Sequence, residues 1–407
     1  MSVDMPTFTT EIRFSAGASS TGFELGTAIL GYSTLGTAVT WSNVSSDVRN
    51  ISIARGKQRE LDEFSAGSAS VTLSNTARTY DPNYAAGAYY GQVKPGRWIR
   101  IKATYDSTDY ELYQGVIREW EYGYSFPNEA TAIPRASDFI EDLNGTDITT
   151  TTSAAASGTV VAEILNAANI IPRDLDTGAE TFQAVSLASA NALTALQTAD
   201  KSEGGGLSAV YCNEQNQVVF EDRNSLSTNT RSNTSQATFG TVSLPVDEVD
   251  LDYSSDLIKN DVNLTRIGGS VQTKTDADSQ SDYGIRSFSL TGLYNNSDAN
   301  VANIAQSYID SFKDAELRVR SITIHPRLNA ALMVQALTRK IRDRITISYN
   351  PPPGTATVTD EMFISGIEHI IMPQDFRTKF TLESVTGRSP YWMLGTGELG
   401  TTTVLGF

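Results

Sequence analysis

The stretch FSAGSASVTLSNTARTYDPNYAAGAYYGQVKPGRWIRIKATY, Phe64–Tyr105, decides the fold. Both of its ends alternate. In WIRIKATY, Ile99, Ile101, Ala103 and Tyr105 fall on one side and Arg100, Lys102 and Thr104 on the other, the two-residue period of a half-buried strand, and the turn KPG precedes it. The middle gathers Asn75, Arg78, Tyr80 and Asp81 as a catalytic site would. Asp81-Pro82 is a turn initiator, however, because Asp hydrogen-bonds its own backbone and Pro pre-sets the next dihedral. Arg78 and Tyr80 then pin a loop between strands, and the stretch is read as architecture rather than chemistry.

Outward from it, the β signal runs from Thr40 to about Leu143, with DYELYQGVIREWEYGY supplying one or two more strands. The segment GTDITTTTSAAASG, Gly145–Gly158, is poor in apolar bulk and reads as a linker. Two helices are expected next, one in TVVAEILNAANII and one in SLASANALTALQTADKSEGGG, followed by a hairpin around NEQN. The last third returns to strands with one clear helix in DANVANIAQSYIDSFKD, where Val301, Ile304, Ala305, Tyr308 and Phe312 form a core stripe. Leu-Gly pairs begin at Leu25, Leu30 and Leu35 and again at Leu394, Leu399 and Leu405. Their five-residue spacing fits neither helix nor strand, so both ends read as extended segments that dock on a neighbour.

The expected fold is β-rich α+β, with two tube-like antiparallel β-barrel or sandwich domains flanking a smaller α+β domain. The boundaries are an N-terminal docking segment at 1–40, β domain 1 at 41–145 and the α+β domain at 146–245. β domain 2, with one helix, follows at 246–388, and a C-terminal docking segment at 389–407. A chain of 407 residues suits such a division, since domains usually run to about 100–200 residues.

Composition narrows the function. The net charge is −16 and the pI about 4.6, so the surface repels phosphate and sequence-reading of nucleic acid is disfavoured. The single cysteine, Cys212, forms no intrachain disulfide and alternates with apolar residues as a buried, inert thiol. MSVDMPTFTTEIRF lacks the pattern of a secretion signal and no apolar run of 18 occurs, so no membrane span is expected and synthesis in the cytoplasm is.

The search for chemistry returns little. GTGELG, Gly395–Gly400, matches the dinucleotide fingerprint in letters, but only seven residues follow it and no helix can open there. Of the two histidines, His325 and His369, each lies in a strand-like setting, which leaves a Ser-His-Asp or Cys-His arrangement without a base. The acidic sets Asp174 and Asp176, or Asp276, Asp278 and Asp282, depart from the calcium-loop spacing and read as solvated turns. No cofactor, metal or catalytic residue is expected.

A resemblance adds to this. Trp41, Val44, Gly56, Arg59, Glu60, Leu61, Gly67, Ala69, Val71, Leu73, Asn75, Tyr80, Asp81, Pro82, Pro95 and Gly96 occur in the order of a Trp-x-x-Val segment, a Gly-x-x-Arg-Glu-Leu turn, a G-x-A-x-V-x-L-x-N strand, a Tyr-Asp-Pro loop and a final strand. This resembles the N-terminal module of minor tail proteins of long-tailed bacteriophages, especially those of actinobacterial hosts. ALTALQTADKSEGGGLSAVYCNEQNQVVFEDR is similar to the central helix-and-hairpin of phage tail hubs, with the usual turn glycine replaced in NEQN. Asp278, Ser281, Tyr283, Gly284 and Arg286 match their Asp-x-x-Ser-x-x-Tyr-Gly-x-Arg segment. The resemblance covers roughly residues 40 to 390, and the order of loose motifs carries it.

It implies a structural virion protein, a homotrimeric hub at the tail tip in which three chains offer six tube-like domains. The implied partners are distal-tail and tube proteins, other tip or fibre proteins, and DNA in transit without specific binding. Two other readings stand beside it. One is the hexameric distal tail ring; the other is a tail protein that binds cell-wall carbohydrate through Tyr84, Tyr89 and Tyr90. A wall hydrolase is disfavoured by the scarcity of histidine.

Overall fold

The computed structural model describes residues 3–15, 40–204, 206–352, 354 and 357–385. Both sets of Leu-Gly pairs and Gly395–Gly400 lie outside them. The first β region comprises β1 (Thr7–Ile12), β2 (Ser42–Asn43), β3 (Val48–Gly56), β4 (Ser65–Ser74), β5 (Arg97–Tyr105), β6 (Thr108–Ser125) and β7 (Glu129–Ser137). The central region holds α1 (Phe139–Asn144), β8 (Asp147–Thr151), α2 (Ser157–Ala167), β9 (Arg173–Leu175), β10 (Ser186–Asn191), α3 (Ala192–Gly204), β11 (Ala209–Cys212) and β12 (Val218–Glu221). Two single turns, α4 (Ser225–Thr228) and α5 (Thr230–Asn233), lead out of it. After β13 (Thr238–Phe239) and β14 (Glu248–Asp252) comes an inserted unit of β15 (Asp261–Arg266), β16 (Gln272–Thr275), α6 (Ala277–Tyr283), β17 (Ser287–Leu293) and α7 (Asp298–Phe312). The chain ends with β18 (Arg318–Ile324), α8 (Ala330–Thr338), β19 (Arg344–Tyr349), β20 (Val358–Met372) and β21 (Asp375–Ser384).

The β-rich α+β class holds, but neither β region closes into a barrel of its own. Both belong to one thirteen-stranded sheet, β14-β18-β21-β20-β3-β4-β7-β6-β5-β1-β2, with β19 beside β20 and β13 beside β19. The seam is β20. Its first half pairs with β19 and its second half, Gly366–Ile371, pairs antiparallel with β3. At the crossing Gly56 lies opposite Gly366 with φ +102°, and a Cβ there would stand 2.2 Å from the Ser365 carbonyl oxygen, so only glycine fits.

One apolar core spans the seam, including Ile51, Ile53, Val71, Ile99 and Ile101 from the first region and Ile322, Ile347, Phe376 and Phe380 from the last. Each such side chain contributes about 1.5–3 kcal/mol by leaving water. The sheet curls around this core until Phe8 on β1 meets Phe376 on β21 edge-to-face, with ring centroids 5.4 Å apart. Residues 7–12, placed by sequence in a docking segment, thus pair with β5 of their own chain.

Several local expectations change. Gly145–Gly158 is not merely a linker: its Thr run, β-branched and suited to a pleated surface, forms β8 and pairs with β10. The helix expected from Ser186 starts at Ala192, after β10. DADSQSDYG is not only a turn, because Asp276 accepts a hydrogen bond from the Ser279 amide and caps α6. The last third holds a separate core around Val262, Leu264, Val301, Ile304 and Phe312, and α8 as an additional helix on the main core.

Candidate functional site

The loop after β4 is built by its own side chains. Asn75 is fully buried; its amide donates to the Ala130 carbonyl (2.8 Å) and its Oδ1 accepts from the Tyr80 amide (3.0 Å). Arg78, at φ +58°, donates through Nε and Nη2 to Asp81 Oδ2 (2.9 and 2.8 Å), while Asp81 Oδ1 accepts from the Asn83 amide (2.8 Å). The Asn83 bond and then Arg78 hold the Asp81 carboxyl below its ordinary range. Tyr80 donates its hydroxyl to Asp47 (2.6 Å). Burial first, then Asp47, push that hydroxyl well above the usual tyrosine range. A saturated carboxylate and a phenol locked as a donor offer neither base nor nucleophile; the loop is a clasp.

Aromatic packing completes it. Phe14 stacks on Tyr89 at 3.8 Å between centroids, and Tyr80 and Trp120 extend the stack at 6.0–6.3 Å. Tyr84 lies under the Arg78 guanidinium at 4.4 Å. Of the three tyrosines considered for sugar stacking, Tyr84 and Tyr89 are therefore engaged, and Tyr90 is 52% exposed. Trp41 lies under Arg100 at 4.2 Å, Pro82 is exposed on the loop, and Gly96 turns into β5 at φ +79°.

The second motif sits apart, at the other end of the sheet. Asp278 and Ser281 are exposed on α6, Tyr283 is half-buried, Gly284 ends the helix at φ +71°, and exposed Arg286 leads into β17. The residue that organises them, missed in the sequence, is Asn260. Fully buried, it donates to Ser279 Oγ (3.0 Å) and the Gly284 carbonyl (2.9 Å) and accepts from the Arg286 amide (2.7 Å). Arg59, also in the matched order, is exposed beside a cleft of about 200 Å³ lined by Asp252, Asp256, Asp314 and Glu316, so the motif residues do not converge on one site.

What does run across the molecule is the outer face of the sheet. One row of paired residues passes Thr323, Lys379, Glu368, Ala54, Ser68 and Ser137, crossing the seam without a break. A neighbouring row passes Arg377, Ile370, Ser52, Ser70, Arg135 and Glu119. These side chains are exposed or half-buried, whereas the alternate positions are the core. The face is rich in small hydroxyls and its cations are matched: Arg135 with Glu121 (2.6 Å), Arg377 with Asp375 (3.0 Å) and Lys379 with Asp250 (3.8 Å). Exposed pairs of this kind add only about 0–1 kcal/mol, so their effect is to cancel charge.

Beneath the sheet, buried ion pairs fasten the regions together. Lys57 on the β3–β4 turn pairs with Glu383 on β21 (2.7 Å) and Arg342 with Glu221 on β12 (2.6 Å), while Arg223 and Glu180 (2.7 Å) form a buried pair within the central region. Breaking one side of such a pair costs about 3–5 kcal/mol, because the remaining charge stays buried. Cys212 is buried, and burial above all raises its thiol well beyond the ordinary range. His369 is buried on β20; burial, then Arg55, lowers it to about 3. His325 bonds through Nε2 to Asp375 (2.5 Å). Among the described residues no group of three or more His, Cys, Asp or Glu converges as a metal site would, and no helix is long and apolar enough to cross a membrane.

No protein-family model matches the sequence, and no curated protein matches it. Solved structures do. The 43 kDa tail protein of prophage MuSo2 from Shewanella oneidensis superposes with a TM-score of 0.56 at 14% identity, covering 86% of this chain and 95% of that one. A tail protein from Neisseria meningitidis gives 0.57 at 10% identity, covering 94% and 98%. A chain of a PdpA–VgrG complex gives 0.50 at 8% identity, covering 96% of this chain and 67% of that one. At these identities the likeness is one of fold: the chain has the architecture of phage tail proteins over nearly its whole described length.

Proposed function

We propose that this chain is a structural component of a phage tail, a minor tail protein of the actinobacteriophage-like kind that forms a homotrimeric hub at the distal tip. The observation that carries the reading is the unbroken outer face across the β20–β3 seam. Each chain thereby brings two β regions in fixed register, and three chains bring six, which joins a six-fold tube or distal ring to a three-fold tip complex. The outer faces line the channel. Small hydroxyls and self-neutralised cations leave few free positive charges for phosphate, so DNA passes without being held. The role is one of assembly, without catalysis, in a virion put together in the host cytoplasm.

The test is the absolute mass of the purified protein by light scattering coupled to size exclusion. A mass about three times the 44.0 kDa chain is expected. A six-fold mass would move the assignment to the distal ring, and a monomer that binds cell-wall glycan would move it to carbohydrate recognition.

A further inference from the structure

The inserted unit, β15 to α7, is joined to the sheet by two short linkers, and a cleft of about 200 Å³ opens at this neck. Asp256 and Leu257 on the first linker and Asp314 and Glu316 on the second line it on one side, and Ser384 at the end of β21 on the other. A notch of about 260 Å³ adjoins the cleft and shares Glu316 and Ser384 with it. Strand register explains the notch. β18 pairs with β21 only as far as Ser321 opposite Thr381; beyond that point Arg318 and Val319 pair with β14, whereas Leu382 and Ser384 pair with β20. Strands that part in this way turn backbone groups toward a gap, where they call for other partners.

Charge and chain path say what fits. Five carboxylates and three arginines line the cleft, and Arg318 is already held between Glu60 and Glu316 (3.3 Å to each). Asp360 adds a carboxylate in the notch, while Glu361 is taken by Arg344. Leu317, 59% exposed, offers apolar surface there. β21 ends at Ser384, in the wall of both cavities, and the Val385 amide donates to the Glu361 carbonyl (3.4 Å), so the chain leaves the sheet at this spot. The residues that follow, 386–394, read TGRSPYWML, with one cation, Arg388, no carboxylate, and the apolar run Tyr391 to Leu394. At most about 3.6 Å per residue puts Arg388 within about 11 Å of Val385 and Leu394 within about 32 Å, so the cleft and the notch are both in reach.

We propose that residues 386–394 turn back at Thr386-Gly387 and seat in the neck cleft of their own chain, Arg388 among its carboxylates and Tyr391 to Leu394 against Leu257 and Leu317. Glycine suits the turn this requires. An arginine between carboxylates on two linkers bridges them, and an extended segment between parted strands supplies backbone partners. A second copy's segment would have to enter where this one leaves, which favours the chain's own. The seated segment is a strap that fixes the inserted unit to the sheet from the neck side. On its other side the unit is already fastened to the central region, where Asn295 and Asn300 donate to Glu180 (3.4 and 2.7 Å).

The test places the photo-crosslinker p-benzoylphenylalanine at Trp392 in the purified full chain. Irradiation is expected to join position 392 to peptides from 252–257, 314–320 or 358–362, in a product that runs at the 44.0 kDa mass of a single chain on a denaturing gel. Products only of twice that mass, adducts only elsewhere in the chain, or no adduct would overturn the proposal. Should the change at 392 prevent folding, Tyr391 carries the crosslinker and is judged by the same outcomes. Arg388→Glu then separates seating from mere tethering. Because the like charge is expelled from the cleft, amide hydrogen exchange at 252–257 and 314–320 is expected to quicken by about threefold to tenfold, with β5 unchanged. Unchanged exchange at the neck would show that the crosslink reports tethering alone and would remove the strap. Each of these outcomes concerns a single chain and leaves the tail reading untouched.

Discussion

Two asparagines, Asn75 and Asn260, are both fully buried and both close a loop, yet they do so differently. Asn75 uses one end of its amide, accepting from Tyr80 five residues on, and its Nδ2 has no hydrogen-bond partner. Asn260 uses both ends and holds three groups, the farthest 26 residues away at Arg286. The first organises a turn that its neighbours already favour. The second gathers α6, its terminal glycine and the start of β17, adding side-chain bonds to the backbone bonds that Asn260 makes with Arg286 and Asp276. The difference teaches that burial alone does not rank a polar residue; the number and sequence separation of its partners do.

This ranking can be broken by measurement. Asn260→Ala is expected to have the largest effect, a loss of about 2–3 kcal/mol in urea unfolding, because three bonds go at once. A cost equal to that of Asn75→Ala would remove the distinction between the two loops. Asp138 supplies a titratable counterpart: it caps α1, accepts from the Gly67 and Ile140 amides (2.7 and 3.0 Å), and burial raises its carboxyl to about 7. Because the folded value lies above the unfolded one, its contribution is complete below the ordinary carboxylate range and is lost as pH rises through 7. Asp138→Asn keeps the acceptor and should flatten the stability profile between pH 4 and 7 by about 4 kcal/mol. The two asparagine variants should retain the wild-type slope.

Asn75→Ala should cost about 1 kcal/mol, read as a lower midpoint at unchanged slope. Tyr80→Phe, which removes the bond to Asp47, should cost about 0.5–1.5 kcal/mol; a larger loss would make the hydroxyl, rather than Asn75, the main fastening of the loop. Asp278→Ala, exposed on the first turn of α6, should stay within about 0.5 kcal/mol. A greater loss there would mean that the second motif is held from its surface and not from Asn260.

The candidate site was legible in the sequence to the extent that it is local. Arg78, Asp81 and Pro82 announce a turn because their bonds reach only a few residues. The stripe at Val301, Ile304, Ala305, Tyr308 and Phe312 announces α7, and all five are buried there. Asn260 and Asp47 carry no such mark, since their partners lie tens of residues away, and Asp138 shows only its local cap on Ile140 and not its bond to the Gly67 amide, 71 residues back. β8 and α8 were hidden for a related reason: a Thr run and a short apolar run each fit more than one structure until a neighbour chooses.

By itself the sequence determined the alternation of WIRIKATY, the clasp after β4, the hairpin of β11 and β12, and an acidic, β-rich composition with a helical middle. These follow from the intrinsic periods and turn chemistry of adjacent residues. Only the tertiary structure decided that the two β regions share one sheet. Nothing near Gly56 or Gly366 in sequence says that they will face each other. Their pairing comes from the close approach of β3 and β20 over a common core, and it is this approach that makes one continuous outer face from two stretches of chain more than three hundred residues apart.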